Sequence, residues 1–559
     1  MGDALTTFMR LYLCLPNACT ALPKEKGPAM THETKLAKAE KAILNRAATL
    51  RDRWYPAYHI AARAGWINDP NGLCFYKGRY HAYFQHHPYS SEWGPMHWGH
   101  VSSEDLVTWR HEPIALAPTL EEECNGCWSG SAVVGDDGRL YFFYTGHRHA
   151  IDFDHPETRR EVQCAAVSDD GVHWEKLGVV VPGDKPRGNF RDPKVWRQGN
   201  VWCMVVGQQS SEPRGQVALY TSRDLRTWQC EGVIYEWPTS EVRMIECPDL
   251  FCLGGRWVLC FSAMGMRPKG YVGRNYNNAG YLVGDWSLGK PFVPTTDFTP
   301  CDWGHNFYAP QSFETPDGRR IQFGWMSPFQ FEAPEKADGW CGQFTLPREL
   351  TLGDDDRVRV RPAKEVMEWT RSHGSTSAQM LETSLNSGAG SPTIPSSDVR
   401  AASPHSSNAV TCSCPAFVCP IALAPNTEHT LASDLTCGLI ELVFDLITSD
   451  AERMGVEVHH TSDGNRLFVG YDAQTGCVVV DRRNTIRGNR GYRAVPVNTR
   501  DGRIRLQVWL DRGCVEVYVN DGEAAMSELS YPGDGPRSVV LTSESGTTHV
   551  CELAMHRLA

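Results

Sequence analysis

Three acidic residues in this chain of 559 residues share one local setting. Asp69 lies in Gly65-Trp-Ile-Asn-Asp-Pro-Asn-Gly72, Asp192 in Phe190-Arg-Asp-Pro193, and Glu246 in Met244-Ile-Glu-Cys-Pro-Asp249. Each acid stands one or two residues before a proline and beside an apolar run. Proline fixes its own φ and pushes the preceding residue toward extended backbone, so the carboxylate is held at a rigid corner where regular pairing stops. Any one of these stretches is most simply a turn with a capping acid. Three that converge have a chemistry. Retaining glycoside cleavage needs a carboxylate nucleophile and a carboxylic acid proton donor about 5–5.5 Å apart. A third carboxylate can hold ring hydroxyls and stabilise an oxocarbenium-like state. Arg191 is expected to keep Asp192 ionised through its opposite charge. Cys247 and the apolar residues around Glu246 are expected to desolvate that acid and raise its pKa, as a proton donor requires.

Convergence demands elements that bring distant corners to one axis. From Trp54 to about Pro362, short β-type runs such as Leu140–Tyr144, Val201–Val206 and Trp257–Phe261 alternate with Gly, Asp and Asn turns. Ser103-Glu-Asp-Leu-Val-Thr-Trp109 recurs as Ser168-Asp-Asp-Gly-Val-His-Trp174 and as Ser222-Arg-Asp-Leu-Arg-Thr-Trp228, with a fainter echo at Gly284-Asp-Trp286. A strand-rich repeat of roughly 60 residues reads as a propeller blade, and about five fit this span. The repeated Asp and Trp are read as architecture, a turn between outer strands, and not as chemistry. Acids in three different blades meet only near the axis, where inner strands converge.

Ahead of the propeller, apolar residues at Leu36, Ile43, Leu44, Ala47 and Leu50 predict an amphipathic helix over 33–52. Residues 373–425, rich in Ser, Pro, Ala and Thr, read mostly as a disordered insertion. Strand patterning returns from Leu439 to Leu541 with Asp-Gly turns at Asp463, Asp501 and Asp521, which predicts a second all-β domain, a sandwich. The expected fold is therefore all-β: a short N-terminal helix in an extension over 1–53, a five-bladed β-propeller over 54–365, a linker and low-complexity insertion over 366–425, and a β-sandwich over 426–559.

Composition narrows the partners. The net charge is −11, without a long basic run, which argues against nucleic acid and anionic membrane. No apolar run reaches the roughly 20 residues that span a bilayer. Leu11–Leu15 is cut short by Pro16 and Asn17, so no signal peptide is expected, and Met30 is a more natural start. The 20 cysteines form no spaced framework, and Cys74, Cys164, Cys203 and Cys260 sit in apolar runs as buried thiols would. No Asn-x-Ser/Thr sequon occurs. These features favour the cytoplasm. Cys124-Asn-Gly-Cys127 has no second pair or His ligands at suitable spacing, so neither metal nor cofactor is expected. His86-His87 reads as a loop wall, and Cys412-Ser-Cys414 is assigned nothing.

The ordered set Trp-Ile-Asn-Asp-Pro-Asn-Gly, Phe-Arg-Asp-Pro and Glu-Cys-Pro resembles glycoside hydrolase family 32, the invertases, sucrose-6-phosphate hydrolases, inulinases and levanases. The likeness runs from about Trp54 to Leu350 and returns in Val515–Glu523. Tyr83-Phe-Gln-His-His-Pro88, Trp93–His100 and His111–Leu116 look most like the bacterial intracellular sucrose and sucrose-6-phosphate hydrolases. The resemblance implies a propeller followed by a sandwich. It implies Asp69 as nucleophile, Glu246 as acid/base and Asp192 as transition-state stabiliser. It adds Trp66, Asn68, Gln85, Trp93, Trp128, Ser129, Arg191, Tyr308 and Trp340 as sugar contacts, with sucrose, sucrose 6-phosphate and raffinose as substrates. A non-catalytic sugar-binding propeller, a fructosyltransferase and a fructan hydrolase are the alternatives. Asn306 departs from the resemblance, since relatives usually carry Asp there, and that acid would face the leaving-group sugar. Arg267, Lys269 and Arg274, in a Gly-rich loop, are candidate phosphate contacts.

Overall fold

The computed structural model describes residues 30–149, 158–183, 189–327, 332–376 and 420–558. The early apolar run at Leu11–Leu15 and most of the low-complexity stretch, including Cys412 and Cys414, lie outside them. No helix among the described residues is long and apolar enough to cross a membrane.

Five antiparallel sheets follow one another along the chain and form a five-bladed β-propeller. Their innermost strands are Gly65–Tyr76 in blade I, Cys127–Val134 in blade II, Phe190–Gln198 in blade III, Met244–Leu253 in blade IV and Tyr308–Glu314 in blade V. Each inner strand contacts the next, and that of blade V returns to that of blade I, which closes the ring. The seam is reinforced by a short strand, Trp340–Cys341, which pairs in parallel with Gly65 and Trp66. These inner strands are buried on both faces over most of their length, so their sequences do not alternate between apolar and polar.

The repeated Ser-x-Asp-x-x-x-Trp is a turn of fixed chemistry. Asp105 Oδ1 accepts from the backbone N–H groups of Val107 and Thr108, at 2.9 and 2.7 Å, and from Ser103 Oγ at 2.9 Å. Asp170 and Asp224 repeat the arrangement. The tryptophan that follows packs on the preceding blade: Trp109 on Phe323, Trp174 on Tyr83, and Trp228 on Phe143. An Asx-type turn thus sets where a large ring enters the groove between blades, which is why both residues recur together.

Helix α1 (His32–Ala47) is capped by Thr31, whose Oγ1 accepts from Thr34 N–H. It buries Ala39 and Ile43 against Ile114, while Leu44 is exposed. The helix is shorter than expected, because Arg51 N–H donates to Asp338 O and draws the chain out of helical geometry. A second helix, α2 (Lys364–His373), was not anticipated from the pattern; it buries Val366 and Thr370 and follows directly on blade V. The strand Ile421–Leu423 likewise falls in the stretch read as insertion, and pairs with Thr548–Arg557.

The C-terminal β-sandwich has one sheet built around Gly438–Asp445, Arg503–Asp511, Cys514–Val519 and Ala524–Leu529, and a six-stranded sheet from Thr427–Ala432 to Tyr492–Pro496. Leu442, Val456, Val469, Leu506, Val517 and Leu541 fill the space between them. The seam with the propeller is ionic. Arg348, fully buried, reaches Asp302 at 2.9 Å and Glu516 at 2.5 Å. His59 lies between Asp511 and Glu516, at 2.8 and 3.0 Å. Buried charges are tolerated only when paired this completely.

Candidate active site

Every inner strand is bulged at the same level. Between Ile67 and Pro70, Cys127 and Gly130, Arg191 and Lys194, Glu246 and Asp249, and Tyr308 and Gln311, three steps on the inner strand meet two on its neighbour. The extra residue twists the strand and re-aims its side chains. In blades III, IV and V the bulge opens on Asp192, Cys247 and Ala309, at φ of 65°, 48° and 49°. Left-handed backbone is costly for a side chain with a Cβ and marks strain at a site. Proline follows each of the three, where it leaves no N–H without a ladder partner.

The strained amides are satisfied across blades. Asp192 N–H donates to Thr145 Oγ1 at 3.0 Å, Cys247 N–H to Asp192 Oδ2 at 3.0 Å, and Ala309 N–H to Ser262 Oγ at 3.1 Å. Thr145 and Ser262 carried no motif in the sequence, because a hydroxyl inside a strand has no local signature.

Asp69 sits in the blade I bulge. Ser129 Oγ donates to its Oδ2 at 2.6 Å, Asn68 Nδ2 to Oδ1 at 3.0 Å, and Gln85 Nε2 to Oδ2 at 3.4 Å. Gln85 also contacts Ser129 Oγ. Burial raises the Asp69 pKa, Ser129 and Asn68 pull it back, and Glu246 adds repulsion. Trp66 is buried, and its indole N–H donates to Asn68 Oδ1 at 2.8 Å, so the amide end of Asn68 faces Asp69. His86, read as a loop wall, is instead buried in its strand with Nδ1 2.8 Å from Trp66 O, because its strand runs on through the sheet to His87.

Asp192 and Asp69 flank one sulfur. Cys247 Sγ lies 3.7 Å from Asp69 Oδ2 and 3.6 Å from Asp192 Oδ2. Asp192 is pushed up to about 8: burial leads, and Glu246 and Asp69 add to it against the pull of Arg191. Arg191 does lower the Asp192 pKa, as expected, but burial and the two neighbouring acids outweigh it. The Arg191 guanidinium turns to Glu246 Oε1, with Nε at 3.0 Å and Nη2 at 2.7 Å. The apolar setting expected for Glu246 is absent. Tyr308 Oη donates to its Oε2 at 2.5 Å, and Cys247 directs its sulfur to the two aspartates. Like charges this close titrate together, so a proton belongs to the cluster and not to one residue.

Trp93 and Trp128 meet edge to face at 6.0 Å, and both remain partly exposed. Trp128 stacks on His147 at 3.6 Å between ring centroids, and the Arg191 guanidinium lies over the Trp128 ring at 5.8 Å. Behind Arg191 is Glu161, fully buried, which the sequence reading missed. Its only sequence signal is a charge inside an apolar strand, Arg160–Ser168.

Trp340, an expected contact, and Asn306, the departure from the resemblance, both lie at the seam with the sandwich. Trp340 is buried at the seam against Tyr55, in a cluster with Trp54 and Tyr531, because its strand joins the back of the blade I–V closure. Asn306 is fully buried, and its Oδ1 accepts from Arg482 Nη1 at 2.6 Å and Leu529 N–H at 3.0 Å, so it faces the sandwich and not a ligand. Arg267, Lys269 and Arg274 are exposed on a loop whose Tyr271 packs on the sandwich. Ligand atoms of His59, Asp511 and Cys514 lie within 4.8 Å of one another. Both His59 nitrogens are engaged by carboxylates and Asp511 also accepts from Ala57 and Tyr58 N–H, which suits an ion-pair lock better than a metal.

Comparison with known proteins gives a consistent picture. The family model for the glycosyl hydrolases family 32 N-terminal domain matches residues 59–362, and that for the family 32 C terminal matches 421–557. A sucrose-6-phosphate hydrolase of Escherichia coli is 37% identical, over 92% of this chain and 97% of its own. A raffinose invertase of Escherichia coli is 38% identical over the same shares. Among solved structures, a variant of the Bombyx mori GH32 beta-fructofuranosidase in complex with sucrose superposes with a TM-score of 0.75 at 30% identity, covering 94% of this chain and 99% of that one.

Proposed function

This chain belongs to glycosyl hydrolase family 32, and on that premise we propose that it hydrolyses the β-D-fructofuranosyl bond of sucrose by a retaining route, with Asp69, Glu246 and Asp192 as its working acids. The enzyme is a β-fructofuranosidase. The Asp69 carboxylate attacks the anomeric C2 of the fructosyl unit as the C2–O bond to glucose breaks. Glu246 gives its proton to the departing glucosyl oxygen, leaving a fructosyl ester on Asp69. Glu246, now ionised, takes a proton from water, which attacks C2 and releases fructose. Asp192 holds ring hydroxyls and favours the positive charge that develops at the ring.

The observation that carries this reading is the bonding of Asp69. Asn68, Ser129 and Gln85 donate to it from two blades, which orients an ionised nucleophile inside a buried carboxylate cluster. The surplus proton held by that cluster supplies the acid for the first step. Trp93 and Trp128 offer partly exposed aromatic faces to the C–H side of a sugar. Residues 54–365 form the catalytic domain in this reading and 426–559 its sandwich. The thiols without disulfide partners among the described cysteines suit a reducing cytoplasm.

Sucrose, sucrose 6-phosphate and raffinose share the fructosyl unit and differ on the leaving side. Steady-state release of the aldose from the three, measured side by side with the wild type and Asp69→Asn, tests the proposal. Turnover of plain sucrose that Asp69→Asn abolishes is the expected result. Binding of sucrose without turnover would favour a non-catalytic propeller, and oligosaccharides accumulating at high sucrose would favour fructosyl transfer.

A further inference from the structure

We infer that Glu161 is a positioning residue that sets the working proton affinity of Glu246 by sharing the charge of Arg191. The inference rests on the reading of Glu246 as acid and base. Arg191 is gripped from both sides. Its Nε and Nη2 reach Glu246 Oε1, while its Nη1 lies 3.3 Å from Glu161 Oε2 and 3.5 Å from Glu161 Oε1. Glu161 Oε2 also accepts from Phe190 N–H at 2.6 Å, so the carboxylate is fixed against the strand that carries Arg191 and Asp192. Its Oε1 takes Arg159 and, at 3.3 Å, His147 Nδ1.

The chemistry needs such a partner. Glu246 must be neutral before the first step and ionised after it. A guanidinium that places two N–H groups on one oxygen favours the ionised form alone. A second buried carboxylate on the same guanidinium takes up part of that pull. The groups facing Glu246 are Arg191 and Asp192 from blade III, Tyr308 from blade V, Asp69 from blade I and Cys247 on its own strand. Those facing Glu161 are His147 from Leu140–Arg148, Arg159 at the head of its own strand, and Arg191, with His149 behind His147 at 3.0 Å. Burial holds His147 at about 3, so near neutral pH it brings no charge. Two arginines therefore divide one carboxylate. His147 also backs Trp128, so Glu161 anchors a candidate sugar platform as well.

This division makes a pair of variants move in opposite directions. The measurement is the pH dependence of kcat/KM on sucrose. Glu161→Gln keeps the shape but frees Arg191 to act on Glu246, so the alkaline limb is expected to move down by about one pH unit. Turnover above that limb then falls about tenfold, while the top of the profile changes less. Arg159→Gln, at a side chain that is 31% exposed, leaves Glu161 wholly to Arg191, and the limb is expected to move up. A structural role alone would lower the whole profile without shifting it. Limbs that stay in place, or that move the same way in both variants, overturn the inference. If Glu161→Gln fails to fold, the direction of the Arg159→Gln shift decides. Glu246→Ala, assayed on a β-fructofuranoside whose leaving group needs no proton and with added azide, separates the two readings. Rescue by azide with loss of the alkaline limb upholds Glu246, so unmoved limbs then overturn Glu161 alone. A limb that persists in Glu246→Ala removes the acid/base reading and this inference with it.

Discussion

The backbone N–H of Cys247 donates to Asp192 Oδ2 at 3.0 Å, so the strained amide of one blade is satisfied by the carboxylate of the blade before. Asp192 is thus both a structural acceptor and a member of a crowded set of carboxylates. Its folded pKa, about 8, lies above the value of 3.8 it starts from. A carboxyl that binds its proton more tightly when folded supports the fold at low pH and withdraws that support as pH rises toward the folded value. Asp192→Asn keeps an acceptor for Cys247 and cannot ionise. It is expected to gain thermal stability over the wild type by a margin that widens from about pH 4 to pH 8, while losing at least about a thousandfold in kcat. Thermal melts across that range check it; a constant margin would contradict the assignment.

Asp69 depends on donors from a neighbouring blade. Asp69→Asn is expected to lower kcat by about four orders of magnitude or more with the fold intact. Ser129→Ala removes one charge-assisted bond, about 1.5–3 kcal/mol, and so about 10- to 150-fold in rate. Single-turnover kinetics with sucrose, alongside circular dichroism, separates these losses from misfolding.

His59 locks the two domains. Burial opposes its charge, and Cys514, Asp511 and Glu516 overturn that and hold its pKa well above the ordinary range. The stabilisation is present below the unfolded value of 6.5 and is lost only as pH rises through the folded value. His59→Gln leaves the buried Asp511 without its cation while Glu516 keeps Arg348, a cost of about 3–5 kcal/mol. Urea unfolding at pH 6 is expected to show that loss, and kcat per folded molecule is expected to hold. A midpoint equal to that of the wild type would remove the lock.

Asn306 tests which side of the propeller that position serves. Because its Oδ1 is spent on Arg482 and Leu529, Asn306→Ala is expected to lower stability by about 1–3 kcal/mol, the cost of an unmet buried donor. The ratio of kcat/KM for sucrose to that for sucrose 6-phosphate is expected to stay within about twofold in both Asn306→Ala and Asn306→Asp, too small for a lost or gained direct contact. A tenfold change in that ratio would return the position to the leaving-group side.

Much of this molecule is written in local chemistry. Proline after Asp69 and Asp192, and two residues after Glu246, marks where strands break step, and the spaced Ser-x-Asp-x-x-x-Trp turns count out blades, because both depend on residues only a few positions apart. The strand runs and the all-β class were legible for the same reason. What a charge does once it arrives was not. Adjacency in sequence put Arg191 beside Asp192, yet its guanidinium serves Glu246 and Glu161, from two other strands. Asn306 and Trp340 are directed by the seam with the sandwich, and Glu161, Thr145 and Ser262 become part of the site only through blade-to-blade contact. Burial and Coulomb terms act through space over a few ångströms, whatever the distance along the chain. The residue types and their order therefore determined the chemistry available, and the closure of the propeller decided which charges face each other and at what pH they work.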